Sequence, residues 1–267
     1  IATGLGTKAL WPDTDWGHIE IAPPNITFRD RLTLYAGDLE VQLIYVGPAH
    51  TSNDIVAWLP GPRVLFTGDV VFNGGTPFIV MGSLAGSLTA LDPLRAIVAG
   101  DPPTAHPDPP RRIEAPDTAH PEALEGRTSR PAPTPANAAS ESTSDLPSPA
   151  HGRGAGGEGS TTRPVTIVPG HGPVCGPEVF DDIERYLRFV ADTARAGYEA
   201  SVPPLDLARA AGLGDFAALH DSERLVANLH RAYAELAGEP LGAPIPLFKV
   251  FPDMIAFNGG AVPKCLA

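Results

Sequence analysis

Cysteine is scarce: only Cys175 and Cys265 occur in 267 residues. That excludes a disulfide framework and makes a reducing cytoplasm the default compartment. No run of about 18 apolar residues exists, so no segment reads as a membrane span. Ile1 to Leu10 lack a basic start followed by an apolar core, so they do not read as a secretory signal. Basic residues are few, 19 Lys and Arg against 31 acidic residues, for a formal charge of −12. A surface of that sign repels phosphate backbones, so nucleic acid is not an expected partner.

Another shortage is local. Residues 101–163 contain no Phe, Trp or Tyr, and their only large aliphatics are Ile113, Leu124 and Leu146. The same stretch holds 12 of the 31 prolines and the linker-like run SPAHGRGAGGEGS. Such a segment buries too little apolar surface to offset its chain entropy, so it reads as a disordered insertion. His106, His120 and His151 lie inside it and are poor candidates for metal ligands. The remaining chain, about 200 residues, suits a single domain.

What is present begins with β patterns. Ile26–Phe28 and Leu32–Tyr35 are short strand candidates, followed by a Gly37-Asp38 turn and Leu39–Val46. In that last run Leu39, Val41, Leu43 and Tyr45 share one face, while Glu40 and Gln42 break the other. Ile55–Leu59 and Val64–Thr67 flank a Pro60-Gly61-Pro62-Arg63 turn and read as a hairpin. A helix is expected from an N-cap at Ser87 to about Ala99, with Pro93 inside it. Val165–Val168 reads as a short buried strand. Pro177 opens a helix to about Ala200, with Val179, Ile183, Tyr186, Leu187, Val190 and Ala194 as its apolar stripe. A last helix, about Ser222 to Leu236, places Leu225, Leu229, Tyr233 and Leu236 on one side. This order fits an α/β or α+β sandwich.

Three of these strands end in short glycine-containing loops that carry a metal-ligand residue type. They are IYVGPAHTSND with His50, VLFTGDVVF with Asp69, and VTIVPGHGP with His171. Two imidazoles and a carboxylate suit zinc, which takes nitrogen and oxygen donors. Gly68, Gly170 and Gly172 allow sharp turns and close backbone approach. Taken singly, an Asp at a strand end is usually a cap, and a loop His is usually solvated. Asp54 or Asn53 is a candidate to orient an imidazole, with loop capping as the equal alternative. Asn73 with Gly74 and Gly75 reads as a plain turn in preference to a wall of the substrate pocket, Cys175 as a small buried hydrophobe, and His18 as a surface residue. His220 and His230 are assigned to a C-terminal helical cap, and Trp11, Trp16 and Trp58 to packing.

The succession GPAHTSND, LFTGDVVF and VPGHGP resembles the second half of the metallo-β-lactamase superfamily. The resemblance spans roughly residues 1–100 and 164–267. It implies an α/β fold of the αββα sandwich type, N-terminally incomplete here. Residues 1–100 and 164–200 would form the partial domain, 101–163 the insertion and 201–267 a C-terminal helical extension. It also implies two Zn2+ ions, with His50 on one, His171 on the other and Asp69 bridging both. Asp at the bridging position resembles the broader hydrolase branch, including thioesterase-like members. Two zincs in that arrangement polarise a carbonyl or ester oxygen of a small-molecule substrate and hold a hydroxide. The family's upstream H-x-H-x-D-H motif is missing, since no two of the eight histidines lie closer than His220 and His230. The expectation is therefore a fragment lacking most ligands and part of one sheet. Three readings follow: a zinc hydrolase of esters, thioesters or amides; a non-catalytic truncated remnant of that fold; and an unrelated α/β binding module. Oligomeric state and substrate identity have no signal in the sequence, although a sheet exposed by truncation would favour association.

Overall fold

The structure is a computed structural model that describes residues 23–100 and 163–263. Residues 101–162, and with them the insertion and His106, His120 and His151, lie outside the described residues. So do His18, Trp11, Trp16 and Cys265.

Among the described residues, five strands form one sheet in chain order: β1 (Arg31–Ala36), β2 (Leu39–Gly47), β3 (Asp54–Leu59), β4 (Val64–Phe72) and β5 (Thr166–His171). The first four make an antiparallel meander, and β5 adds in parallel to β4. The Gly37-Asp38 and Pro60–Arg63 turns fall where the sequence places them. Ile26–Phe28 is not a strand; Ile26 is 67% exposed, and the segment pairs with no strand among the described residues. Strand-forming side chains such as Ile26, Thr27 and Phe28 do not make a strand without a ladder partner for the backbone.

Apolar residues occur on both faces of the sheet, and helices choose between them. Ile44, Val46, Val56, Trp58, Leu65 and Ile167 are buried and share a core with helix residues. The alternate set on β2, namely Leu39, Val41, Leu43 and Tyr45, is only partly covered. On that opposite face, Leu34, Ile55 and Phe66 are each 44% exposed. Alternation alone does not say which of two apolar faces receives the helices.

Among the described residues there are five α-helices, the first between β4 and β5 and the rest after β5: α1 (Leu84–Ala99), α2 (Val179–Glu199), α3 (Pro204–Ala211), α4 (Arg224–Leu236) and α5 (Leu247–Phe257). α1 starts one turn before the expected cap. Ser83 is its N-cap, accepting from the Gly86 N–H, while the Ser87 hydroxyl donates back to the Ser83 carbonyl. Glu235 of α4 also accepts from the Leu84 and Ala85 N–H groups, so the positive end of α1 meets a carboxylate. Pro93 is accommodated inside α1. The α2 stripe read from the sequence is buried throughout. On α4, Leu225 and Leu229 are fully buried, but Leu236 is 41% exposed. The short helices α3 and α5 were not anticipated.

Candidate metal centre

β4 and β5 deliver two of the three candidate ligands from adjacent strands. The ladder pairs Gly68 with Pro169 and Phe72 with His171, so four steps on β4 match two on β5. The surplus residues bulge, and Asp69 sits in that bulge, directed out of the regular ladder. Bulges of this kind re-aim side chains. Gly68 enters it with φ +52, in the left-handed region. Gly170 must be glycine for a different reason: a Cβ there would lie 2.1 Å from Asp69 Oδ1.

His50 comes from the loop after β2. Asp54 shapes that loop: its carboxylate accepts from the Ala49 N–H (3.1 Å), the Thr51 N–H (2.7 Å) and the Thr51 hydroxyl (2.7 Å). Of the two roles open to Asp54, the structure shows loop capping; it orients His50 only through the backbone. Asn53 donates to the neighbouring Ser52 hydroxyl and is exposed.

The three residues meet. His50 Nε2 lies 3.4 Å from Asp69 Oδ2, and His171 Nε2 lies 3.7 Å from Asp69 Oδ1. Each imidazole therefore faces a different carboxylate oxygen. His50 Nδ1 contacts the Phe78 carbonyl oxygen, which only accepts, so Nδ1 carries the proton. That leaves Nε2 as the nitrogen turned to Asp69. The His171 ring stacks on Phe72, centroids 4.7 Å apart and planes 5° from parallel. The Asn73 N–H donates to the His171 carbonyl and its side chain to Pro173 O, tying the ends of β4 and β5 together. His50, Asp69 and His171 are 19%, 41% and 24% exposed, so the cluster opens to solvent.

Zinc accepts these donor types, and two donors at about 2.0–2.1 Å in a tetrahedron stand about 3.3–3.4 Å apart. The His50–Asp69 separation matches that edge, and the His171–Asp69 separation exceeds it by a few tenths of an ångström. Each metal would receive one imidazole and one carboxylate oxygen. Among the described residues, no three or more His, Cys, Asp or Glu side chains form a group that closes on one ion. The residues thus fit zinc pair by pair, one donor short of the three protein ligands of a catalytic site.

Residues 4–109, which include His50 and Asp69, match the family model described as Metallo-beta-lactamase superfamily. Over that segment the chain is similar to members of that superfamily. β5 with His171 lies beyond the matched residues. No curated protein matches the chain. Among solved structures, it is similar to a metallo-beta-lactamase from Pontibacter korlensis, at 16% identity and a TM-score of 0.35. That likeness covers 62% of this chain and 50% of the other, so the chain spans about half the length of that relative.

The remaining candidates fall elsewhere. Cys175 is half-buried beside Ile167, and burial, then Glu178 and Asp182, push its thiol pKa up, away from a reactive thiolate. His230 pairs with Asp253 at 2.7 Å between α4 and α5, as a helical-cap residue would. His220 bridges to Gly75 through its backbone. Trp58 is buried in the core. Asn73, Gly74 and Gly75 are more than a plain turn: with Phe72, Tyr186 and Phe216 they line a cavity of about 280 Å³. The sequence reading missed a polar stripe on α4, formed by Arg224, Asn228, Arg231 and Glu235. These residues bond to Thr76 O, Pro77 O, Ile79 N, Val80 O, Leu84 N and Ala85 N. Arg224 additionally pairs with Asp221 at 2.8 Å and lies over the Phe72 and Phe78 rings. The available signal was polar residues at helical spacing beside an apolar stripe.

Proposed function

We propose that this chain contributes to a zinc-dependent hydrolase centre acting on an ester, thioester or amide of a small molecule. One observation carries the reading: the two oxygens of Asp69 each face a separate imidazole Nε2, at 3.4 and 3.7 Å. This is the donor pattern of a carboxylate shared between two metals. His50 and Asp69 Oδ2 would hold one ion, and His171 and Asp69 Oδ1 the other. Zinc bound there supplies Lewis acidity and a nucleophile at neutral pH. The protein's own contribution is positional. The β4 bulge presents the carboxylate, the Phe72 stack fixes the His171 plane, and the Phe78 carbonyl fixes the His50 tautomer.

A second reading is a non-catalytic module of the same fold that binds at most one metal. It is favoured by the two-donor half-sites. The test is hydrolysis of a panel of esters, thioesters and amides by zinc-loaded protein, with Asp69→Asn alongside. Zinc-dependent turnover lost in D69N supports the hydrolase; zinc binding without turnover supports the second reading. The described residues include no helix long and apolar enough to cross a membrane. The two-cysteine composition fits a reducing cytoplasm.

A further inference from the structure

Asn228 lies on α4, 178 positions beyond His50 in sequence, and is completely buried. A buried amide is retained where its donors and acceptor are all used. Here they are. The Ile79 N–H donates to Asn228 Oδ1 at 3.1 Å, and Asn228 Nδ2 donates to Pro77 O at 2.7 Å and to Tyr186 Oη at 3.1 Å. The backbone leaves no choice of amide orientation, because a carbonyl only accepts and an N–H only donates.

The Ile79 N–H and the Phe78 C=O belong to one peptide group. In a trans peptide they point in opposite directions. On one side the N–H is taken by Asn228; on the other, the C=O accepts from His50 Nδ1. Asn228, the 78–79 peptide and the His50 imidazole therefore form one continuous hydrogen-bonded chain, in which each bond polarises the next. The Pro77 carbonyl, one residue earlier, is held by the same side chain, and Arg231 holds Val80 O at 2.6 Å one residue later. The peptide cannot rotate without breaking buried bonds on both flanks.

We propose that Asn228 is a positioning residue for the metal centre: it fixes the 78–79 peptide so that His50 is held as the Nδ1–H tautomer, with Nε2 presented beside Asp69. The inference rests on the hydrolase reading only for its purpose; the positioning itself is a property of the metal-free chain.

The test uses 15N-histidine-labelled, metal-free protein at about pH 8.5, above the ordinary His range. Long-range 1H–15N spectra report which ring nitrogen of His50 is protonated. The wild type is expected to show a protonated Nδ1 and a lone-pair Nε2. Asn228→Ala is expected to give a mixture of tautomers and a zinc affinity about 10–100-fold weaker. Tyr186→Phe removes a bond to the same amide but leaves the Ile79 link, so it is expected to keep the wild-type spectrum. A wild-type Nε2–H tautomer, or an N228A spectrum identical to wild type, overturns the proposal. If N228A does not fold, Asn228→Asp keeps the acceptor facing Ile79 and should retain the Nδ1–H tautomer; the other tautomer there overturns it too. The expected tautomers in a wild type that binds no zinc would overturn the hydrolase reading and leave the positioning inference standing.

Discussion

At the residue scale, the candidate centre depends on close approach. Gly170 faces Asp69 with no space for a methyl group, since an added Cβ would sit 2.1 Å from Oδ1 and 2.6 Å from the Gly68 carbonyl carbon. Gly170→Ala must therefore push the carboxylate or the β4 backbone aside. We expect a destabilisation of about 1–3 kcal/mol by urea unfolding and weaker zinc binding by competition titration. An unchanged zinc affinity would show that Asp69 is not held by this packing. The ligand residue types and their glycine neighbours were legible because each lies in one contiguous loop, such as PGHG or TGD. The contact that fixes the His50 tautomer was not, because Phe78 is 28 positions away and chemically unremarkable; only its carbonyl matters. Asp54 shows the same limit. Its residue type allowed two roles, and only the distances to Ala49 and Thr51 decide for the cap.

At the element scale, caps and ties between helices carry the testable content. Ser83 is buried, and its hydroxyl accepts from the Gly86 N–H at 2.9 Å. Ser83→Ala should cost about 0.5–2 kcal/mol in chemical denaturation; Ser87→Ala, which leaves that cap intact, should cost less. The reverse ranking would restore the cap read from the sequence. A second tie joins α1 to α2, where Glu184 binds Arg188 of its own helix and Arg95 of α1. Hydrogen bonds from Arg188, then Arg95, hold the Glu184 pKa below its ordinary value. A depressed folded pKa stabilises the protein above the unfolded value of about 4.3 and loses that contribution as pH falls through the folded one. Glu184→Gln should therefore flatten the fall in stability below about pH 4.5, read from melting temperatures in a pH series; curves of equal slope would exclude it. The five strands and the helices α1, α2 and α4 were legible from periodicity, whereas Ile26–Phe28 carried a strand pattern without forming one. The short helices α3 and α5 were not, since eight and eleven residues offer few turns of pattern, and Pro252 interrupts the second.

At the scale of the whole molecule, residues far apart in sequence share one core. Ile167 of β5, Trp58 of β3, Leu94 of α1 and Leu229 of α4 belong to the same buried cluster. Ile167 is fully buried, so Ile167→Ala should cost about 2–5 kcal/mol. Fluorescence in a variant retaining Trp58 alone and far-UV circular dichroism should shift together. Separate transitions would mean that β5 and the helices do not unfold with the meander. The choice of covered face illustrates what pattern cannot supply. Both faces of β2 are apolar enough to pack, and the helices settle on Ile44 and Val46 rather than on Leu43 and Tyr45. The same helices bring Asn228 and Arg231 to the loop behind His50, a placement that exists only once the chain is folded.

The central claim is that His50, Asp69 and His171 act together on metal, and zinc content tests it most directly. Elemental analysis of the wild type equilibrated with zinc, beside Asp69→Ala, is decisive because Asp69 faces both imidazoles. The account predicts zinc bound to the wild type and its loss in D69A. No zinc in the wild type, or equal zinc in both proteins, would contradict it.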